Sequence, residues 1–409
     1  MRNTIAGLPG SKIREVANAG LGRTDVLAFW FGESDEVTPL AVRQAASDSL
    51  LRGETFYSHN LGLAELREAL RQYTAGLHGD PGPDRIAVTS SGVSALMTAM
   101  QLLVDAGDEV VAVVPVWPNL PAQPEILGAR VTRVSLAPGL DGAWRLDLDR
   151  LLAAVTSGTK VLLLNAPNNP TGWTLRRDEQ QALLGHCRCT GTWIVADEVY
   201  DRVWFGAGLP GAEPPRTGQA PPREARAAGE LGANSSAPSF LDIAAPDDRL
   251  VVVHSFSKSF LMTGWRLGWL VLPAGQLDAV GKLIEFNSSC APVFVQRGGL
   301  AALAMADDFV PGLIKRLRAG RDTLCPALAA LPGVLSAAPL GGMYAWFKVP
   351  GAEDSLAFAK QLVREHGLGL APGAAFGAEG EGWLRWCFAS QDPARLLAGV
   401  ERLRGALRL

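Results

Sequence analysis

The chain has 409 residues, 48% of them hydrophobic, and a formal net charge of −3. This length exceeds what one hydrophobic core usually organises, so two domains are expected. The small net charge argues against nucleic acid or an acidic membrane surface as a partner. Apolar runs of about five to eight residues are also far shorter than the ~20 needed to cross a bilayer.

Cysteine usage and the first residues bear on the cellular compartment. The five cysteines are an odd number without a disulfide framework, which is typical of a reducing compartment. Residues 1–5 lack the apolar core and cleavage site of an export signal, so we expect a cytoplasmic protein. Cys187 and Cys189 follow His186 on a probable helix without the second ligand pair of a zinc site, and we therefore predict no metal.

The first elements are an apolar segment, 27–31, that ends at Gly32, and an amphipathic helix predicted from Leu63 to Leu77. Tyr57 precedes this helix. From the residues alone, Tyr57 could simply pack beneath its own helix.

Three apolar runs, at 85–89, 160–164 and 193–196, are each followed by a polar loop. Such runs predict buried strands that deliver the next loop to the carboxyl edge of a sheet, where ligands bind in α/β proteins. The loops contain, in order, Ser90-Ser91-Gly92-Val93, Asn165-Ala166-Pro167-Asn168-Asn169-Pro170-Thr171-Gly172, and Asp197-Glu198-Val199-Tyr200. The first loop opens a predicted helix, whose free N–H groups and dipole suit a phosphate.

A stretch rich in Pro, Gly, Ala and Ser spans residues 206–238. We interpret it as a mobile surface insertion, with a lid or docking segment as the alternative.

A fourth apolar run, from Val251, leads to Lys258, one of only seven lysines. An amine held partly desolvated at a sheet edge near a second cation, here Arg266, has a depressed pKa and can form Schiff bases with aldehydes. A single lysine is by default a surface residue, so this interpretation needs the neighbouring loops. His254, beside the lysine, could serve packing or polar contact, and the sequence leaves both open.

Arg385 lies inside an alternating apolar run, 382–388, near the carboxyl end. A buried arginine without a counter-ion is costly, so this guanidinium is expected to bind an anion.

Three motifs occur in an order that is far more specific than any one alone: Asn169-Pro170-Thr171-Gly172, Asp197-Glu198-Val199-Tyr200, and Ser255-Phe256-Ser257-Lys258 with Arg266. From about residue 25 to the carboxyl end the chain resembles the class I/II aminotransferases, fold-type-I enzymes that use pyridoxal 5′-phosphate. The resemblance implies an α/β fold. A large domain, 46–300, would hold a mostly parallel sheet flanked by helices, and residues 1–45 and 301–409 would form a smaller α+β domain. The insertion at 206–238 departs from the compact linker usual in the family.

The resemblance also implies roles for the motif residues. Lys258 would bind the cofactor covalently and shuttle a proton, and Asp197 would keep the ring nitrogen protonated. Tyr200 and Asn169 would hydrogen-bond the ring 3′-oxygen, and Trp117 would cover the ring face. The residues expected to bind the phosphate are Ser91, Gly92, Val93, Ser255 and Arg266.

For the substrate, the resemblance implies that Arg385 binds the α-carboxylate as a fork and that the Gly32 N–H approaches the same group. Asn169 and Trp117 would also border the substrate. Tyr57 would reach the phosphate of a neighbouring subunit, which implies a homodimer with shared active sites.

The expected reaction moves an amino group between an L-amino acid and a 2-oxo acid by a ping-pong mechanism. Residues 282–290 contain no arginine for a second carboxylate, and Trp30 could line the pocket, so a neutral or aromatic donor is favoured over aspartate. Lys282 or Arg23 could still supply that charge. The alternatives are a carbon–sulfur β-lyase on the same fold and a cofactor-binding regulator. The regulator would need a DNA-reading module, for which the ~25 residues before the matched region are too few.

Overall fold

The computed structural model describes residues 1–206 and 236–408. Of the predicted insertion 206–238, residues 207–235 lie outside this described part. The strands in chain order are β1 (Leu27–Ala28), β2 (Ile86–Thr89), β3 (Glu109–Val114), β4 (Arg130–Ser135), β5 (Ala137–Pro138), β6 (Trp144–Arg145), β7 (Thr159–Asn165), β8 (Trp193–Asp197), β9 (Leu250–Ser255), β10 (Gly268–Val271), β11 (Leu335–Ser336), β12 (Tyr344–Lys348), β13 (Leu368–Gly369), β14 (Ala371–Pro372) and β15 (Trp383–Cys387).

The helices connect these strands and cover the sheets. In chain order they are α1 (Asn3–Ala6), α2 (Lys12–Ala19), α3 (Leu40–Leu51), α4 (Ala64–His78), α5 (Gly92–Leu103), α6 (Asn119–Leu127), α7 (Leu148–Ala154), α8 (Arg177–Thr190), α9 (Leu277–Ser288), α10 (Val293–Ala304), α11 (Ala306–Ala329), α12 (Ser355–His366) and α13 (Pro393–Ala406). The helix predicted from Leu63 to Leu77 is confirmed as α4, and the helix predicted after Ser91 is confirmed as α5.

A seven-stranded sheet of order β2-β10-β9-β8-β7-β3-β4 carries the site. The pairs from β9 through β4 are parallel, whereas β10 runs antiparallel to both β9 and β2. Val111 and Val113 face one hydrophobic cluster, and Val110 and Ala112 face another. Both sides of these strands are therefore buried, which is why they are continuously apolar rather than alternating. The mostly parallel sheet flanked by helices confirms the predicted α/β class.

The register of the central strands brings the polar loops together. Asn165, the last residue of β7, pairs with Asp197, the last residue of β8, and Asp197 pairs with Val253 on β9. Three loops therefore leave the same edge of the sheet on adjacent strands. The four strands predicted from the apolar runs are confirmed as β2, β7, β8 and β9.

A second, four-stranded antiparallel sheet has the order β11-β12-β15-β14. Near it, β1 pairs in parallel with β13, so residues close to the amino terminus join the carboxyl-terminal part of the chain. The predicted domain boundaries at 45/46 and 300/301 fall inside α3 and α10, which pack against each other. The division into two domains at these positions stays a prediction.

The structure also shows the surroundings of His254, which lies beside the lysine. His254 stacks on Trp269, with ring centroids 4.9 Å apart, and neither ring nitrogen finds a hydrogen-bond partner in the described part of the chain. Burial lowers the pKa of His254 to about 4, so the ring is neutral, and its Nδ1 lies 3.8 Å from the Asp201 carboxylate. The segment that holds Cys187 and Cys189 is confirmed as helical, within α8.

Across residues 1–206 and 236–408, no helix is long and apolar enough to span a membrane.

Candidate active site

Lys258 lies just beyond the carboxyl end of β9, half-buried. Its Nζ donates a hydrogen bond to the Gly32 carbonyl at 2.5 Å and lies 5.7 Å from the centre of the Tyr200 ring. Loss of surrounding water lowers the pKa of Lys258 to about 8. A substantial fraction of the amine is therefore uncharged and nucleophilic close to neutral pH.

Asp197 ends β8, one strand away from Lys258, and its side chain is buried. Burial raises the pKa of this carboxyl group to about 7, while the N–H of Val199, which donates to its Oδ1 at 3.3 Å, and the charge of Lys258 oppose the rise. An adjacent cation would stabilise the ionised form of this buried carboxyl group, because it would replace the stabilisation that water gives an exposed carboxylate.

Two further side chains of the motifs are held by partners from distant parts of the chain. The hydroxyl of Tyr200 hydrogen-bonds that of Tyr344 at 2.6 Å, and both side chains are buried. Asn169 accepts from Arg385 through its Oδ1 at 2.9 Å, and its own backbone N–H donates to Asn165 at 2.8 Å. The two residues thus approach the site from β8 and from the loop after β7.

Arg385 is only 2% exposed, on β15. One of its terminal nitrogens donates to Asn169 and the other to the Trp30 carbonyl at 2.5 Å, whereas its Nε is buried without a hydrogen-bond partner. The guanidinium lies 4.3 Å from the ring centre of Tyr344 and 4.8 Å from that of Phe376. Within residues 1–206 and 236–408, no carboxylate forms an ion pair with it. The predicted burial of an arginine without a counter-ion is confirmed.

The start of α5 is closely surrounded by small residues. Ser91 caps the helix, because its Oγ accepts from the Ser94 N–H at 2.9 Å. A Cβ at Gly92 would lie 3.1 Å from the Cβ of Ser255, and a Cβ at Gly268 would lie 2.6 Å from the Gly92 nitrogen. This packing keeps the first N–H groups of α5, at Gly92 and Val93, beside the Ser255 hydroxyl.

Arg266 is exposed between Lys258 and β10 in a left-handed backbone conformation, with φ of 56°. Its Nη1 donates to the Thr263 carbonyl at 2.6 Å. Two residues later, Gly268 packs against the start of α5.

Trp117 and the segment around Trp30 border the site. The backbone N–H of Trp117 donates to the Asn169 backbone carbonyl at 2.9 Å, and the Trp117 side chain is half-buried. Trp30 and Gly32 offer their carbonyls to Arg385 and Lys258, respectively. One short segment of the predicted small domain thus contacts two predicted site residues.

Tyr57 is 87% exposed. The alternative that it packs beneath its own helix is therefore wrong. Next to it, the Ser58 hydroxyl accepts a hydrogen bond from the buried amide of Gln296 at 3.0 Å. The reach of Tyr57 to a neighbouring subunit stays a prediction.

The sequence analysis missed several residues of the site. Tyr344 and Phe376 enclose Arg385, Gly268 abuts α5, and the thiol of Cys387 donates to the Glu33 carbonyl at 3.5 Å. The available signal for Tyr344 was its place at the start of an apolar strand, β12, shortly after Gly341 and Gly342.

The two cations considered for a second carboxylate both have partners. Arg23 forms an ion pair with Asp25, and Lys282 forms one with Asp278, each at 2.6 Å. In the part of the chain that the structure describes, no group of three or more His, Cys, Asp or Glu side chains could hold a metal ion.

Comparisons with known proteins identify the family of the chain. The family model described as aminotransferase class I and II matches residues 25–403. An aspartate aminotransferase of Thermotoga maritima is 29% identical over 98% of this chain and 96% of its own length. A crystal structure of aspartate aminotransferase from Thermotoga maritima is similar with a TM-score of 0.84, at 28% identity and full coverage of both chains. An arginine–pyruvate transaminase of Pseudomonas aeruginosa is 29% identical over 94% of this chain and 88% of its own length. The chain belongs to the class I and II aminotransferases, a family of pyridoxal-phosphate-dependent enzymes.

Proposed function

We propose that this aminotransferase holds pyridoxal phosphate on Lys258 and moves an amino group between a neutral or aromatic L-amino acid and a 2-oxo acid by a ping-pong mechanism. The observation that carries the proposal is the convergence of three groups from separate strands. These are a lysine whose pKa is lowered to about 8, a buried carboxyl group at Asp197, and the guanidinium of Arg385 without a carboxylate partner.

The residues present fit the cofactor. An amine, a carboxyl group, a phenol with an amide, and a helix N-terminus are the groups needed for its aldehyde, ring nitrogen, ring oxygen and phosphate. A side chain at Gly92 or Gly268 would intrude on the helix start, so the sequence keeps that cradle open. When bound, pyridoxal phosphate supplies an aldehyde and an electron-withdrawing ring that accepts charge from the substrate α-carbon.

Lys258 is proposed as both the anchor and the general base. Its Nζ takes up or releases a proton most readily near its lowered pKa of about 8. Asp197 is proposed to pair with a protonated ring nitrogen. Because burial raises its pKa to about 7, the carboxylate gains more from such a cation than an exposed carboxylate would.

Arg385 is proposed to bind the substrate α-carboxylate. Its Nε is buried without a partner, and the aromatic rings of Tyr344 and Phe376 keep water from the guanidinium. A carboxylate would satisfy the missing hydrogen bond and neutralise the charge, and both gains are larger away from water. Gly32, whose carbonyl faces Lys258, is proposed to lie beside the same carboxylate, with Asn169 and Trp117 also at its border.

The preference for a neutral or aromatic donor rests on the two cations considered for a second carboxylate, both of which already have partners. Residues 282–290 contain no arginine, and Lys282 and Arg23 are held in ion pairs. The names of the relatives differ, one an aspartate and the other an arginine–pyruvate enzyme, at the same 29% identity. The donor preference is therefore argued from the side chains around the pocket.

We also propose a homodimer in which Tyr57 completes the phosphate site of its neighbour. Phe56 and Tyr57 are 84% and 87% exposed, an unusual position for two adjacent aromatic residues in a chain that acts alone. The test mixes Lys258→Ala protein with Tyr57→Ala protein. Hybrid dimers would contain one site with both residues, so activity should rise above that of either variant alone. No gain despite subunit exchange would contradict shared sites.

The reaction itself is tested by absorption spectra of purified protein with a panel of amino acids. The wild-type protein with cofactor should absorb visible light, and a true donor should convert this band to one in the near ultraviolet. Lys258→Ala should lose the conversion, whereas Lys315→Ala, at an exposed position on α11, should keep it. Steady release of ammonia and pyruvate without a 2-oxo acid would identify a lyase instead.

A further inference from the structure

The hydrogen bond between Tyr200 and Tyr344 joins two phenols that are 144 residues apart in the sequence. The oxygens are 2.6 Å apart, and the rings pack edge to face with centroids 5.8 Å apart. Burial raises the pKa of Tyr344 to about 12 and that of Tyr200 well above its ordinary value. Both phenols therefore carry their protons near neutral pH, although only one proton can lie between them.

The fold keeps space for the hydroxyl of Tyr344. A Cβ at Gly32 would overlap this oxygen, so the glycine permits the phenol to reach Tyr200. The same Gly32 accepts from Lys258 through its carbonyl, and Arg385 covers the Tyr344 ring at 4.3 Å. Tyr344 thus lies between three residues of the proposed site without belonging to any of the recognised motifs.

We propose that Tyr344 is a positioning residue for the amino-transfer reaction: its hydroxyl donates to the Tyr200 oxygen, so that the proton of Tyr200 is directed at the ring oxygen of the cofactor. The inference rests on the proposed role of Tyr200. A phenol has one proton to donate, and an anionic oxygen is the stronger acceptor. When the proton of Tyr200 turns to that oxygen, only Tyr344 can supply the proton for the bond between the phenols.

Donation from Tyr344 also makes Tyr200 a stronger donor, because hydrogen bonds in a chain polarise one another. A stronger hydrogen bond to the ring oxygen favours its anionic form. The bound cofactor therefore loses its proton at a lower pH. The titratable groups that act on the two phenols are Asp197, Lys258, Arg385, Cys387 and Glu33. All of them are unchanged when the Tyr344 hydroxyl alone is removed.

The test measures the pH midpoint of the visible absorption of the protein with bound cofactor. Tyr344→Phe should raise this midpoint by about 0.5 to 1 pH unit, the size of one hydrogen bond's effect. Tyr200→Phe should raise it as well, and the double variant should show no more than the Tyr200→Phe shift, because the Tyr344 hydroxyl acts only through Tyr200. Tyr73→Phe, which removes a half-buried phenol that accepts from Arg202 and lies outside the proposed site, should leave the midpoint unchanged.

An unchanged midpoint in Tyr344→Phe, or full additivity of the two shifts, would overturn the inference. Should Tyr344→Phe fail to fold, Gly32→Ala displaces the same hydroxyl and must raise the midpoint for the inference to stand. Failure of the proposed function looks different, because the wild-type protein itself would then form no visible band that an amino-acid donor can convert.

Discussion

Arg385 and Asn169 are joined by a hydrogen bond of 2.9 Å although 216 residues separate them in the chain. The arginine comes from β15 of the four-stranded sheet, and the asparagine follows β7 of the central sheet. This contact connects the group proposed to bind the substrate carboxylate with one proposed to contact the cofactor. The side-chain amide of Asn169 therefore links the proposed position of the substrate carboxylate to that of the cofactor.

Replacing Arg385 by lysine should lower kcat/KM for amino donors by about 30- to 150-fold. Lysine keeps the charge but loses the planar fork and the hydrogen bonds of a buried, charge-assisted pair, which together contribute about 2 to 3 kcal/mol. Steady-state kinetics with several donors measure the effect. Arg395→Lys is the control, because Arg395 lies over Phe29 at 4.4 Å, in contact with Ala28 and Asp35 and not with the proposed site. Equal losses in both variants would contradict the assignment.

The rate at which cofactor-free protein captures pyridoxal phosphate should rise with pH and reach half its maximum near pH 8. Only the uncharged amine attacks an aldehyde, and desolvation lowers the pKa of Lys258 to about 8. Stopped-flow absorbance between pH 6 and pH 10 measures the profile. A midpoint near 10, as for an exposed lysine, would show that the amine is fully hydrated in solution.

Replacing Asp197 by asparagine should stabilise the cofactor-free protein while removing amino transfer. Burial raises the pKa of Asp197 from 3.8 to about 7, so the folded state binds this proton more tightly than the unfolded chain does. The wild-type protein therefore loses stability as pH rises from about 4 to 7, by roughly 2 to 4 kcal/mol in all. The advantage of Asp197→Asn should grow between pH 5 and pH 8.

Denaturant unfolding of both proteins at these two pH values measures the difference. Asp278→Asn, at an exposed carboxylate on α9, should show no comparable pH-dependent gain. A gain for Asp197→Asn that is the same at pH 5 and pH 8 would mean that the carboxyl group does not titrate in this range.

Replacing Gly268 by alanine should weaken cofactor binding by about 10- to 100-fold. The new Cβ would lie 2.6 Å from the Gly92 nitrogen, so the start of α5 must move, and such overpacking costs about 1 to 3 kcal/mol. Equilibrium titration of cofactor-free protein measures the affinity. Gly264→Ala is matched to it, because a Cβ at Gly264, four residues earlier, would meet no atom within 4 Å. Wild-type affinity in Gly268→Ala would show that the helix start tolerates displacement.

Local patterns in the chain were enough to locate four strands of the central sheet, the starts of α4 and α5, and the motif residues. Apolar runs that end in Asn165, Asp197 and the residues before Lys258 predict buried strands and loops at one sheet edge, because period and polarity are properties of neighbouring residues. The odd cysteines and the buried Arg385 were likewise evident from residue types and their immediate surroundings.

Tertiary structure alone decided which distant residues meet. Tyr344 contacts Tyr200, Gly32 accommodates the Tyr344 hydroxyl, and Phe376 covers Arg385, and none of these pairs shares a local pattern. It also showed that His254 stacks on Trp269 and that Tyr57 is exposed. The physical reason is that side-chain periodicity specifies which face of a strand is buried, whereas the partner at that face depends on how separate elements pack in three dimensions.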